Sequence, residues 1–227
     1  MTITATRLTR AAGICAAIAG LIFIAVQIKH PPMDVNSVTT TQWVVRSTAK
    51  VVMAALALAG ITGMYLRQVR QTRLLGLVGY LLFAVGYLAI LSTEVIAASV
   101  LPILAHTSPG YVNDLVTAAA GGTPAGHIGG MQIVFDISGF AYMVGGLLFG
   151  IALFRARVLA RWAAALLALG TIATAALAVL PQSFNRPLAV PTGVALIGLG
   201  ISLWRDQRKT APEAGPATSR VEHLAVR

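Results

Sequence analysis

Acid is what this chain has least of. Only seven of its 227 residues are Asp or Glu, against 17 Lys and Arg, and charged residues together make up 11%. Soluble domains carry about a quarter, so an ordinary water-facing surface is excluded. Cysteine is almost missing too. Cys15 stands alone, which excludes an intrachain disulfide and a cysteine-cluster metal site. In its apolar surroundings it reads as a small packing residue. A P-loop, a GxSxG elbow and an HExxH helix are absent, and with them the commonest routes to nucleotide, ester and zinc-dependent peptide chemistry. His106 and His127 bracket a loop at no spacing a zinc site uses. No histidine sits in the middle of an apolar run, so haem is not expected, nor any other cofactor.

What the chain has in plenty is hydrocarbon. It is 57% hydrophobic with a mean hydropathy of +0.80, concentrated in runs of about 20 residues, the length that crosses a bilayer. The expected fold is all-α, a polytopic transmembrane helical bundle of about six spans. Residues 1–205 form a single transmembrane domain. Residues 206–227, with Pro212, Gly215 and Pro216, form a polar tail that cannot bury enough apolar surface to order.

The net charge of +10 does not indicate nucleic acid here, because the basic residues cluster at segment ends. With the N-terminus inside, the inner side holds Arg7, Arg10, Arg67, Arg70, Arg73, Arg155, Arg157, Arg161, Arg205, Arg208, Lys209, Arg220 and Arg227, which is 13 of the 17. Lys29, Arg46, Lys50 and Arg186 remain outside. This imbalance puts both termini in the cytoplasm. Its partners are the lipid bilayer and a hydrophobic small molecule. The size is compatible with an oligomer.

Turn residues divide the runs. The first, Ala11–Ile28, lacks a cleavage site and stops at Lys29 and Pro31-Pro32, so it reads as a retained helix. The second runs from Trp43 to Leu66 behind capping threonines at 39–41. The third begins near Leu74 and ends by Pro102, and the fourth spans Ile128–Phe154. The fifth, Trp162–Leu180, carries no ionisable group and reads as packing material. Pro187 and Pro191 break the start of the sixth, which ends near Trp204. Between the third and fourth, Val112–Ala120 can form a short helix at the membrane interface.

Two carboxylates stand inside apolar segments, Glu94 in the third and Asp136 in the fourth. Charge at that depth is costly and seldom faces lipid. Tyr80, Tyr87 and Glu94 recur every seven residues, which makes one helical stripe. Gln132 and Asp136 are four apart on one face. If both acids face inward they approach one another. Burial and like charge then raise the pKa of one, and a protonated carboxyl can act as an acid. Asp136 is the first candidate for that acid and Glu94 its support. Tyr80, Phe83, Tyr87, Phe135, Phe140, Tyr142 and Tyr111, with Gln132, would line the substrate, the aromatic faces stabilising a cation. A plainer reading stands beside it. Arg46 and Lys50, four apart near the start of the second segment, either snorkel to the headgroups or pair with Glu94 or Asp136 to hold the bundle together.

The stretches RAAG…AGLIFIAVQIKHPPMD, TTTQWVVRSTAKVVMAALALAGITGMYLRQVR and GFAYMVGGLLFGIALFRARVLARWAAALLALG resemble a set of small actinobacterial integral-membrane proteins, over about residues 7–205. Among small bacterial membrane proteins of this kind are terpene cyclases of meroterpenoid biosynthesis, which act on prenylated aromatic compounds such as farnesylated indoles. The resemblance implies an acid-initiated, metal-independent cyclisation. The chain has no Asp-rich diphosphate motif, in keeping with that chemistry. Fungal enzymes of like activity have seven spans where this chain counts six. The residues leave two other classes open: a non-catalytic accessory or sensor protein, and a small proton-coupled transporter.

The topology has a direct test. In a variant with Cys15 replaced by Ser, cysteines placed at Thr117 and at Ala211 should be labelled from opposite sides of the membrane. Labelling of both from one side would refute the arrangement.

Overall fold

The computed structural model describes residues 4–178 and 185–209. Among them every regular element is helical: α1 (Ala5–Ala25), α2 (Val35–Val38), α3 (Thr41–Ser99), α4 (Leu101–Thr107), α5 (Pro109–Ala119), α6 (Met131–Ala156), α7 (Arg161–Ile172), a 3-10 turn (Ala173–Ala178) and α8 (Asn185–Lys209). Thr4, Asp34 and Thr40 cap the first three helices, each side chain accepting from a backbone N–H in the first turn. α1, α3, α6 and α8 are long and apolar enough to cross a membrane, and α7 with its 3-10 extension is a shorter apolar helix.

At 59 residues α3 is far longer than the roughly 20 residues one crossing needs, and it is two antiparallel arms. The backbone leaves helical geometry at Gln68 and again at Arg73, where φ is 49°. The arms then face each other in reverse order. Trp43 Nε1 donates to the Ala97 carbonyl at 3.0 Å, Lys50 meets Glu94 at 2.9 Å, and the Thr62 and Tyr80 hydroxyls are 3.0 Å apart. Tyr65 stacks on Tyr80 at 4.7 Å. The basic loop expected at 67–73 is therefore a tight turn. Arg67 fixes it to the end of α8 through Asp206 at 2.6 Å.

The arms and helices form a ring. The second arm packs on α6, α6 on α7, α7 on α8, α8 on α1, and α1 on the first arm. Small residues sit at each seam. Gly86 faces the Tyr142 backbone, Gly150 faces Ala168, Gly200 faces Gly13, and Gly60 faces Ala16, each so near that a methyl group would collide. Lipid tails are as apolar as Leu, so helices in a bilayer associate through close packing of such surfaces. The pair Gly146 and Gly150 serves the α6–α7 seam, opposite Thr171 and Ala168.

Some boundaries differ from the sequence reading. α6 starts at Met131 rather than Ile128. The fifth segment tightens into a 3-10 turn from Ala173, and its end at Leu180 lies outside the described residues. Pro191 sits inside α8 without breaking it. α8 also runs past Trp204 to Lys209, so the first residues assigned to the tail are helical. The rest of the tail lies outside the described residues.

A second, smaller core covers one end of the ring. Val38 of α2, Trp43, Leu101 of α4, Val112, Leu115 and Val116 of α5, and Ile128 are buried together. The interfacial helix expected at 112–120 is thus α5, with its apolar face turned down onto the bundle. Asp114 holds the loop behind it, accepting from the backbone N–H groups of Ala125 and Gly126 at 2.9 and 3.1 Å.

Candidate functional site

Beneath this cap the two arms of α3 place opposite charges together. Lys50 Nζ and Glu94 Oε1 are 2.9 Å apart, and both side chains are less than one-fifth exposed. The second oxygen of Glu94, Oε2, is buried without a hydrogen-bond partner among the described residues.

The pair separates two spaces. Toward the cap lies a narrow apolar slot of about 60 Å³, lined among others by Trp43, Ile96, Leu101, Leu115, Met131 and Phe135. Toward the ring's centre lies an open groove of about 570 Å³, lined by Gln27, Met33, Lys50, Glu94, Ala119, Ala120, Gly121, Gly139, Met143, Thr174 and Arg186. Met33, Lys50, Glu94 and Ala119 border both. The slot has room for about two water molecules. The groove is of the size that takes small-molecule ligands.

Positive charge is in excess around the groove. Arg46 is committed elsewhere: its Nη atoms donate to the Val26 and Lys29 carbonyls at 2.9 and 3.0 Å. The first belongs to the C-cap of α1, where a cation is favoured, and the second, in the loop beyond, also accepts from Gln42 Nε2 at 3.2 Å. Lys50 is neutralised by Glu94. Among the described residues Arg186, at the start of α8, has neutral hydrogen-bond partners only. It donates to Gln27 Oε1 at 3.3 Å and lies 3.0 Å from His30 Nδ1. Glu94 acts on it through space, without a hydrogen bond. The segment before it, residues 179–185, contains no Asp or Glu.

His30 sits at this rim, in the loop after α1. Burial first, and then the charges of Lys50, Arg186 and Arg46, pull its pKa down to about 4, against an upward pull from the Pro31 carbonyl. The ring is therefore neutral at physiological pH. Its Nδ1 is 2.8 Å from the Pro31 carbonyl. A neutral ring can donate there or accept from Arg186, but not both with the same nitrogen.

The remaining candidates divide into three groups. Phe135 lines the slot beside Glu94. Phe83, Tyr87 and Tyr142 are buried against one another, with centroids 4.9–5.7 Å apart, and Tyr80 packs on Phe149 at the edge of the same core. None of these four aromatic residues lines the slot or the groove. Asp136, Gln132, Phe140 and Tyr111 are exposed. Gln132 Nε2 donates to Asp136 Oδ1 at 2.9 Å, and the Tyr111 hydroxyl donates to the Ile128 carbonyl at 3.4 Å.

The expected approach of two inward-facing acids is therefore not what forms. Glu94 faces inward and pairs with Lys50, whereas Asp136 is exposed and pairs with Gln132. The cause is register. The inward face of α6 is taken by Ala141, Tyr142, Gly145 and Phe149, and position 136 falls on the other side. Gly139 and Met143, one and two turns on, reach the groove. Sequence reasoning also passed over Arg186, His30 and Gln27. The available signal was that Arg186 is one of the four basic residues that the charge count sets apart from the other 13.

Among the described residues no three of His, Cys, Asp and Glu come together.

No family model matches the chain, and no curated protein or solved structure is significantly similar to it.

The ion pair makes a sharp prediction about stability. Lys50→Met leaves a nearly buried carboxylate without its cation and should cost about 3–5 kcal/mol, seen as a lower thermal midpoint in detergent. Adding Glu94→Leu should recover most of the loss. A single variant as stable as the parent, or a double variant no better than the single, would show that the pair does not hold the arms.

Proposed function

We propose that this chain is a six-span membrane protein, with both termini cytoplasmic, that binds an amphiphile with a negatively charged head in its outer groove. It acts as a non-catalytic receptor or accessory protein. The observation that carries this reading is Arg186, a guanidinium over a 570 Å³ groove with neutral hydrogen-bond partners only. Lys50 and Glu94 cancel, and Arg46, whose partners are also neutral, is not part of the groove's lining, so Arg186 is the uncompensated cation that lines it. A carboxylate or phosphate head is its natural counterpart. Met33, Met143, Ala119 and Ala120 offer the apolar part of such a ligand a compatible wall.

Acid-initiated cyclisation of a prenylated aromatic compound has less behind it. That chemistry needs a protonated carboxyl beside aromatic faces that border open space. Glu94 is engaged by Lys50 in an ion pair, and the buried aromatic residues fill their own cluster. Asp136 makes no ion pair, so the acid's role would fall to it alone.

The test is binding to purified protein in detergent. Dodecanoate and dodecyl phosphate should bind, and dodecanol should bind about tenfold more weakly or worse, the difference one charge-assisted hydrogen bond supplies. Arg186→Gln should erase the preference for the charged heads. Equal binding of all three, or an unchanged preference in the variant, would refute the reading. Product formation from a farnesylated aromatic compound, lost in Asp136→Asn, would replace it with the cyclase.

A further inference from the structure

The opposite end of the bundle has a recess of its own. It holds about 570 Å³ between the turn of α3 and the end of α6, lined by Arg70, Gln71, Thr72, Arg73, Leu74, Leu75, Ala152, Arg155 and Ala156. Three guanidiniums from two elements converge on it, and no carboxylate lines it. The one described acid at this end, Asp206, is held by Arg67.

A bias of basic residues toward one side of a membrane accounts for their number. It does not account for their gathering in one recess, nor for the backbone beneath them. Arg73 has φ 49° and ψ −144°, in a region where glycine would be free of strain and arginine is not. The residues beside the recess are apolar and open. Leu74 is 71% exposed and Leu66 62%, and Leu77, Val78 and Leu81 continue the same exposed surface along the second arm. A guanidinium cluster that gives way directly to a lipid-facing apolar strip matches one kind of occupant, with phosphate at one end and acyl chains at the other.

We propose that this recess is a binding site for the headgroup of an anionic phospholipid, whose chains lie along the second arm of α3. Arg70, Arg73 and Arg155 hold the phosphate, and Leu74 and Leu77 meet the first methylenes. The site is separate from the outer groove and does not depend on what that groove binds.

The experiment uses the full chain, purified in detergent and incubated with equimolar phosphatidylglycerol and phosphatidylcholine, with retained lipid measured by mass spectrometry. Phosphatidylglycerol should be retained over phosphatidylcholine by about tenfold or more. The triple variant Arg70→Gln, Arg73→Gln, Arg155→Gln should retain the two equally. A control with the same loss of charge at the same end, Arg10→Gln, Arg157→Gln, Arg161→Gln, should keep the preference within about twofold. Replacing the three recess residues by Lys should keep most of it. Equal loss in both triple variants would show a diffuse charge effect and overturn the site. So would no preference in the parent, or competition by free glycerol phosphate as effective as by the lipid.

Discussion

The Lys50–Glu94 pair is the interaction on which the groove-bearing half of this molecule depends. Two charges in a low-dielectric setting are expensive to hide and worth hiding only together. Their meeting fixes the register of the two arms of α3, because the arms run antiparallel and only one alignment brings position 50 against position 94. That alignment also brings Trp43 to Ala97 and Thr62 to Tyr80. The pair forms the wall between the slot and the groove. Removing it would merge the two spaces and leave a charge in apolar surroundings.

The inner half is held by other means. There the seams are glycine and alanine against backbone, and the space between α3 and α6 is filled by Phe83, Tyr87, Tyr142 and Phe149. Close contact over many small surfaces fills the interior there, and the open volume at that end lies at its edge, in the recess of Arg70, Arg73 and Arg155. The outer half cannot close in the same way, because it carries Gln27, Lys50, Glu94 and Arg186 among its facing residues. Polar groups at that depth need partners or water, and the groove is where they find them. The division of labour is thus physical: close packing through the middle of the ring, charge and open volume toward its two ends.

Much of this could be read from the sequence, for reasons visible in particular residues. The apolar runs and the one-sided arginines revealed a helical membrane bundle. The seven-residue stripe of Tyr80, Tyr87 and Glu94 runs as expected, with Glu94 facing Lys50 and Tyr87 in the core. Gly146 and Gly150 mark a close seam, as their spacing implied. Asp136 could not be placed, because the inward face of a uniformly apolar helix is chosen by its partner's glycines, and α6 offers apolar residues on every side. The aromatic residues were misjudged for the same reason: spacing says that they share a face, not whether that face meets open space or another ring. Arg186 went unassigned because its role comes from contacts with Gln27 and His30, more than 150 positions away in the chain.

The most direct measurement is an experimental structure of the protein in lipid nanodiscs with a long-chain carboxylate present. It should show elongated density in the outer groove, its polar end within hydrogen-bonding distance of Arg186 and its body against Met33 and Met143, with Lys50 and Glu94 still paired. A groove holding only water, or ligand density among Phe83, Tyr87 and Tyr142 instead, would contradict the account.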